Sequence, residues 1–188
     1  MILPDAAVTL ADRADGGNLI VNPPREVWER SELSADELTK WSMLVASAGR
    51  AMLDALPQLE GGCINYWEAG NWALNDEAPP RGPKRAESHR RVHLHLLGRA
   101  RHARGADWRW GEAPVFPAYA DRLSWASTHR RLHADECAAI IARAVTLLRE
   151  KYDIGAEKIA PSAPCPLCGY LSARIGAGAN HCEECAPT

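Results

Sequence analysis

Three of the chain's seven histidines fall within seven residues, and arginines surround them. They are His89, His93 and His95, in the segment ESHRRVHLHLLGRA. An imidazole titrates near neutral pH, so it serves as a nucleophile, a proton donor or a phosphate ligand. The planar guanidinium of a neighbouring arginine such as Arg91 matches the oxygens of a phosphate group. These residue types therefore indicate chemistry at phosphorus.

The segment RVHLHLLGR alternates between two kinds of side chain, which predicts a β-strand. In a strand, the apolar set packs under a helix and the opposite face carries a row of nitrogen donors. The apolar set is Val92, Leu94 and Leu96, and the polar set is Arg91, His93 and His95.

Two other interpretations of the histidines remain open. A histidine on a strand is often a hydrogen-bonded core residue with no chemical role. His89, His93 and His95 also have a spacing that could ligate zinc, which would make the protein a metal-dependent hydrolase. No carboxylate or cysteine is placed nearby as a further ligand, so the sequence favours the phosphate interpretation.

Composition narrows the class of partner. The formal net charge of the 188 residues is −2, which disfavours indiscriminate binding to nucleic acid. The segment 81–104 nevertheless has a net charge of +7, which is typical of a solvated basic face, although the interleaved histidines favour a site for a small anionic ligand. No secretory leader is recognisable, and no apolar run approaches the roughly 20 residues of a membrane span. We therefore expect a cytoplasmic protein without a membrane partner.

Local patterns predict the elements that must position the histidine strand. The segment VTLADRADGGNLIVNPP predicts a β-hairpin that turns at Asp15–Gly17. Ser34 and Glu37 form a capping box before a helix over residues 35–56, and a second helix is predicted over 134–151. Residues 61–76 predict one or two strands, whereas 101–128 are rich in turns. The expected fold class is α+β with two main helices.

The last residues of the chain carry a second motif. Two C-x-x-C pairs are separated by 13 residues, a spacing typical of a zinc ribbon. Four thiolates complete a tetrahedral structural zinc site and leave no open position, although His181 could replace one of them. We predict a small separate unit over residues 159–188, after a main domain over 1–158. Its ligands are Cys165, Cys168, Cys182 and Cys185, whereas Cys63 and Cys137 lie in apolar patterns typical of buried thiols.

The segment RVHLHLLGR resembles the signature strand of the histidine-triad superfamily, in which histidines alternate with apolar residues before a Gly-Arg pair. The order of elements is also similar. GGNLIVNPPREV resembles the family's early strand and Pro-basic turn, the segment after Ser34 resembles its long helix, and NWALND resembles a strand that carries an asparagine. The resemblance covers roughly residues 15–100, and it implies a nucleotide hydrolase or nucleotidyl transferase. It also implies a fold in which two main helices accompany an antiparallel sheet, and a homodimer.

The resemblance assigns roles to individual residues. His93 would attack the α-phosphorus and become nucleotidylated, while His95 would bind phosphoryl oxygens or assist the leaving group. Ser88 would donate a hydrogen bond to a phosphate oxygen, and Asn75 would line the same pocket. Asn18 would lie near the side of the site from which the leaving group departs.

The chain departs from the family pattern at three points. Arg91 stands where the first histidine of the triad is usual, and we expect it to bind the phosphate. Ala86 and Glu87 replace a Gly-Gln pair before the serine, and the loop between Asn75 and the strand is longer. A non-catalytic nucleotide-binding or interaction module is therefore the second hypothesis. The aromatic residues Tyr66, Trp67 and Trp72 could stack on a base, although buried core aromatics are the commoner case.

Overall fold

A computed structural model of the chain describes residues 2–4 and 9–154. Four antiparallel strands form one sheet in the order β1–β2–β4–β3. Their bounds are Ile2–Pro4 for β1, Asn18–Val21 for β2, Cys63–Ala69 for β3 and His93–Arg99 for β4. The helices are α1 at Ala35–Ala55, α2 at Ala86–His89, α3 at Arg122–Ser127 and α4 at Ala134–Tyr152. The predicted α+β class with two main helices is confirmed.

The two long helices begin where their sequences place the caps. Ser34 and Glu37 form the predicted capping box: the serine hydroxyl accepts from the Glu37 amide at 3.3 Å, and the glutamate carboxylate accepts from the Ser34 amide at 2.8 Å. At the start of α4, the Glu136 carboxylate accepts from the His133 amide at 2.8 Å. Both predicted helices are confirmed to within one residue at each end.

Helices α1 and α4 pack against each other and cover one face of the sheet. Their buried residues join those of β2 and β4 in a single apolar cluster. The indole nitrogen of Trp41 on α1 donates to the carbonyl oxygen of Val21 at 3.3 Å, which ties the helix to the sheet. Cys137 on α4 is buried as predicted, but Cys63 at the start of β3 is exposed, so that prediction is wrong.

A close backbone approach joins β2 to the end of β4. The Gly98 amide donates to the Gly17 carbonyl at 2.9 Å, and a Cβ on Gly98 would lie 2.2 Å from the Gly16 oxygen. No residue larger than glycine fits there without moving the backbone. The glycine of the Gly-Arg pair therefore allows the chain before β2 to lie against β4.

Two predictions for the strands are wrong. Residues 9–12 form no strand; Arg13–Asp15 is a 3-10 turn, and β2 pairs with residues 2–4 instead. Residues 71–74 of the segment NWALND also form a 3-10 turn rather than a strand. Thr9, Leu10 and Ala11 are nevertheless buried, so tertiary packing and not strand pairing accounts for this apolar stretch.

Within the described ranges, no helix combines the length and apolarity that crossing a membrane requires. The predicted unit over residues 159–188, with its four cysteines, lies outside them.

Truncation of a buried residue on the central strand tests this packing. The Leu96 side chain is fully buried in the cluster beneath the helices. We expect Leu96→Ala to lower the free energy of unfolding by about 2–5 kcal/mol, because the neighbours only partly fill the cavity. Leu123 is 61% exposed, so Leu123→Ala is the control and should leave the urea midpoint nearly unchanged. Equal midpoints for the two variants would contradict this packing.

Candidate functional site

His93 and His95 lie together on the sheet face that points away from the long helices. Strand β4 is central: His95 is opposite Ile20 on β2 and Trp67 on β3, and His93 is opposite Ala69. The side chains of β4 that alternate with them pack into the cluster beneath α1 and α4. The predicted division of this strand into an apolar face and a histidine face is confirmed.

Hydrogen bonds fix the tautomer of each imidazole. The Nδ1 atom of His93 lies 2.9 Å from the carbonyl oxygen of Arg91. A carbonyl can only accept, so Nδ1 carries the proton and the Nε2 atom of neutral His93 carries a lone pair. The Nε2 atoms of His93 and His95 are 3.1 Å apart, so His95 must be the donor in this contact. A nitrogen lone pair on His93 and an N–H donor on His95 therefore face each other.

Burial keeps both imidazoles neutral. Burial, together with the smaller effect of the neighbouring His93, lowers the pKa of His95 to about 3. Burial also lowers the pKa of His93, against the opposing effects of the Arg91 carbonyl and of Glu68. A neutral His93 is the form that can attack phosphorus, because a protonated ring has no lone pair to give.

Arg91 contributes to the histidine pair through its backbone rather than its side chain. The carbonyl of this residue orients His93, while its exposed guanidinium lies 3.4 Å from the Glu26 carboxylate and donates to the Arg90 carbonyl at 2.8 Å. Arg90 is held between Glu29 at 2.8 Å and Glu68 at 3.1 Å. The two arginines before the strand are thus already paired with carboxylates.

Ser88 and Asn75 lie in the segment that leads to β4. Ser88 is exposed on the single-turn helix α2. Asn75 follows the 3-10 turn, and its Oδ1 accepts from the Glu77 amide at 2.9 Å. In the described part of the chain, no hydrogen bond joins either side chain to the histidine pair.

Asn18 lies on the histidine face, opposite Leu97 and two residues along β2 from the position opposite His95. It is only 4% exposed, and its Oδ1 accepts from the Leu10 amide at 3.1 Å. Its Nδ2 donor has no hydrogen-bond partner among the described residues. Asn18 therefore braces the chain before β2 against the sheet and leaves one amide donor on the histidine side.

The segment that follows β4 folds back over the histidine face. Trp67 lies with its ring centroid 5.5 Å from that of His95, and Phe116 stacks on Trp67 at 4.1 Å. The buried guanidinium of Arg99 anchors this segment by donating to the carbonyls of Arg109 at 2.6 Å and Glu112 at 2.9 Å. As a result, His95 is only 4% exposed, whereas His93 is half-buried.

The described residues contain no group of three or more histidine, cysteine or acidic side chains that could hold a metal ion. His89 turns its Nδ1 toward the backbone of Arg85 on its own helical turn, at 3.0 Å from the carbonyl. The alternative site of His89, His93 and His95 is therefore not formed. The cysteine pairs lie outside the described residues, and the zinc ribbon stays a prediction.

No family model, curated protein or solved structure matches this chain. The resemblance to the histidine-triad superfamily therefore depends only on the strand motif and its neighbouring sequence segments.

Sequence reasoning missed what covers the site. Phe116 lies in residues 101–128, where the sequence pattern predicts neither a helix nor a strand. No local signal therefore indicates that its side chain packs against β3. Trp67 was one of three aromatic candidates, and only the register of β3 against β4 places it opposite His95. Knowledge of the pairing between β3 and β4 would have placed Trp67 beside His95, because residues directly opposite in antiparallel strands share a face.

The buried pair should make stability depend on pH. The pKa of His95 in the folded chain, about 3, lies below the 6.5 of an exposed histidine, so on acidification the unfolded chain takes up the proton first. We expect His95 to contribute stability above pH 6.5 that is lost as the pH falls toward 3, by at most about 1.4 kcal/mol per pH unit.

Urea unfolding between pH 7 and pH 4 checks this, with His95→Gln as the variant and His102→Gln, at an exposed histidine, as the control. The decline with acid should be shallower in His95→Gln alone. An NMR titration in which the His95 ring protonates near pH 6.5 would contradict the expectation.

Proposed function

We propose that the chain is a histidine-triad-like nucleotide hydrolase or nucleotidyl transferase that uses His93 as its nucleophile. The observation that carries this proposal is the fixed tautomer of the pair: Nδ1 of His93 is committed to the Arg91 carbonyl, and its Nε2 lone pair faces a donor on His95. A histidine that serves only the core needs no second imidazole aimed at its lone pair.

The arrangement suits attack on a phosphate ester, anhydride or phosphoramidate. Nε2 of His93 forms the bond to phosphorus while the bond from phosphorus to the leaving group breaks, and the leaving group departs with the electron pair. The attacking ring gains positive charge, which strengthens the hydrogen bond from its Nδ1–H to the Arg91 carbonyl. Water or another acceptor then takes the nucleotidyl group from His93 and restores the lone pair.

His95 has a second use once a phosphoryl group arrives. Its Nε2–H, which donates to His93 in the free protein, can turn to a phosphoryl oxygen when that oxygen approaches. This exchange frees the lone pair of His93 at the moment of attack. The neutral state of His95 at pH 7 means that it acts as a hydrogen-bond donor rather than as a cation.

The partner class that follows is a nucleotide or nucleoside polyphosphate, and by resemblance the protein acts as a homodimer. A structural zinc would be held by Cys165, Cys168, Cys182 and Cys185, whose soft thiolates are a donor set that zinc prefers. Such a site braces the chain and supplies no step of the chemistry at His93.

A non-catalytic nucleotide-binding module is the second candidate. One observation favours it over catalysis: His95 is only 4% exposed, so a phosphoryl oxygen does not reach this ring while the surrounding residues stay in place.

An activity assay separates the two candidates. We expect the wild-type protein to release nucleotide from a pool of nucleoside polyphosphates and phosphoramidates, and His93→Ala to lose this activity by at least about 10³-fold, as for other nucleophile deletions. His102→Ala, at an exposed histidine after β4, is the matched control and should keep the wild-type rate. Retention of a nucleotide without release by any protein would support the binding module. Equal release by wild type and His93→Ala would exclude His93 as the nucleophile.

Metal analysis tests the zinc proposal independently. We expect one zinc per wild-type chain and a large loss of zinc in the double variant Cys165→Ser/Cys182→Ser, because removing two of four thiolates leaves an incomplete site. Cys63→Ser, at an exposed cysteine outside the two pairs, is the control and should keep its zinc. A wild-type chain without zinc would contradict the ribbon.

A further inference from the structure

An aromatic pair lies beside the histidine pair and has no role in the chemistry proposed above. The rings of Trp67 and Phe116 are parallel to within 5°, with centroids 4.1 Å apart. Trp67 is also directly opposite His95 in the register of β3 and β4. A planar ring stacked on Trp67 therefore lies next to the proposed phosphate chemistry.

Of the three aromatic residues that the sequence offered for base stacking, Trp67 has the suitable position. Tyr66 belongs to the opposite face of the sheet, where its side chain lies against Gly49 of α1. Trp72 lies beyond the end of β3, where it meets Tyr119 edge to face with centroids 6.5 Å apart. Trp67 is half-buried on the histidine face, and Phe116 is half-buried as well, so the pair extends to the surface.

Phe116 belongs to a segment that contains neither helix nor strand, from residue 113 to residue 118. Its neighbour Val115 donates to the Asp107 carbonyl at 3.0 Å and is 54% exposed. The Phe116 ring itself contacts two aromatic rings, Trp67 in a parallel stack and Trp108 edge to face at 6.0 Å. A planar guest that replaced Phe116 on Trp67 would restore the stacking that the exchange removes.

The proposed chemistry requires the segment that covers the histidine face, which includes Phe116, to move. His95 is 4% exposed and donates to His93, so a phosphoryl group cannot contact both nitrogens while the cover stays in place. Phe116 is a component of the cover that contacts the indole opposite His95 and lies on a segment without regular structure.

We propose that Trp67 is the stacking site for the base of a nucleotide, and that Phe116 occupies this site until the base displaces it. This inference rests on the proposed nucleotide function, since the base reaches Trp67 as its phosphate reaches His93. Phe116 then sets the specificity of the site, because a phosphate compound without a planar base has no ring that can take the place of Phe116 on Trp67.

The chain contains a single phenylalanine, which allows a direct test in the unmutated sequence. Protein labelled with 4-fluorophenylalanine should give one ¹⁹F resonance, that of Phe116. We expect nucleoside monophosphates to move this resonance toward the shift of a solvent-exposed ring, and ribose 5-phosphate, which lacks the base, to leave it in place. A resonance unmoved by saturating nucleoside monophosphate, or moved equally by ribose 5-phosphate, would overturn the proposal.

Affinities of variants test the same exchange. In Phe116→Ala, no ring has to be displaced, so binding of the preferred nucleoside monophosphate should tighten by between about twofold and about tenfold. Binding of ribose 5-phosphate should stay the same. Phe116→Leu keeps apolar bulk without the stacked ring and should tighten binding in the same direction. Adding Trp67→Leu to Phe116→Ala should remove the gain, because the platform is gone.

If nucleotide and ribose 5-phosphate gained affinity equally, the variants would only loosen the segment over the histidine face. If neither affinity changed, Phe116 would be a fixed core residue. Either result overturns the exchange. Failure of the proposed catalytic function is distinguished by a separate measurement, namely nucleotide release and its dependence on His93. A protein that binds bases through Trp67 but releases no nucleotide would keep this inference and lose the catalytic one.

Discussion

Strand β4 is buried on both faces, and the rest of the structure depends on that constraint. One set of its side chains completes the core beneath α1 and α4. The alternate set is covered by the chain that follows the strand and by Leu10 and Ala11 before β2. Water is therefore largely excluded from His95 and partly excluded from His93. That environment accounts for their neutral state, since a charged imidazole there would lose its hydration.

The backbone around β4 serves this arrangement as much as the side chains do. The Arg91 carbonyl selects the tautomer of His93, and the absence of a side chain at Gly98 lets the chain before β2 lie against the strand. The Asp15 carboxylate accepts from the amides of Arg104 and Gly105 at 2.7 and 2.9 Å, which starts the return of the chain over the histidine face. Main-chain groups thus fix both the orientation of the His93 ring and the path of the segment that covers it.

The electrostatics of the site differ from the pattern in the sequence. The run of cations before and within β4 suggested a strongly positive pocket, yet Glu26, Glu29 and Glu68 pair with the arginines closest to the histidines. These carboxylates come from distant parts of the chain; Glu26 is 65 residues from Arg91. A cation that is already paired adds less to phosphate binding than a free one, so the hydrogen bonds of the histidine pair carry more of the proposed chemistry.

The sequence by itself determined the elements whose causes are local. The capping box of Ser34 and Glu37, the apolar stripes of α1 and α4 and the alternation around His93 each act within a few residues, and each was predictable. Only the tertiary structure decided which strand pairs with β2, which carboxylates neutralise the arginines and which ring covers Trp67. Those outcomes are contacts between segments far apart in the chain, and neither periodicity nor spacing contains that information. The tertiary structure also decides the protonation state of His93 and His95, because that state depends on burial, which arises only when the chain is packed.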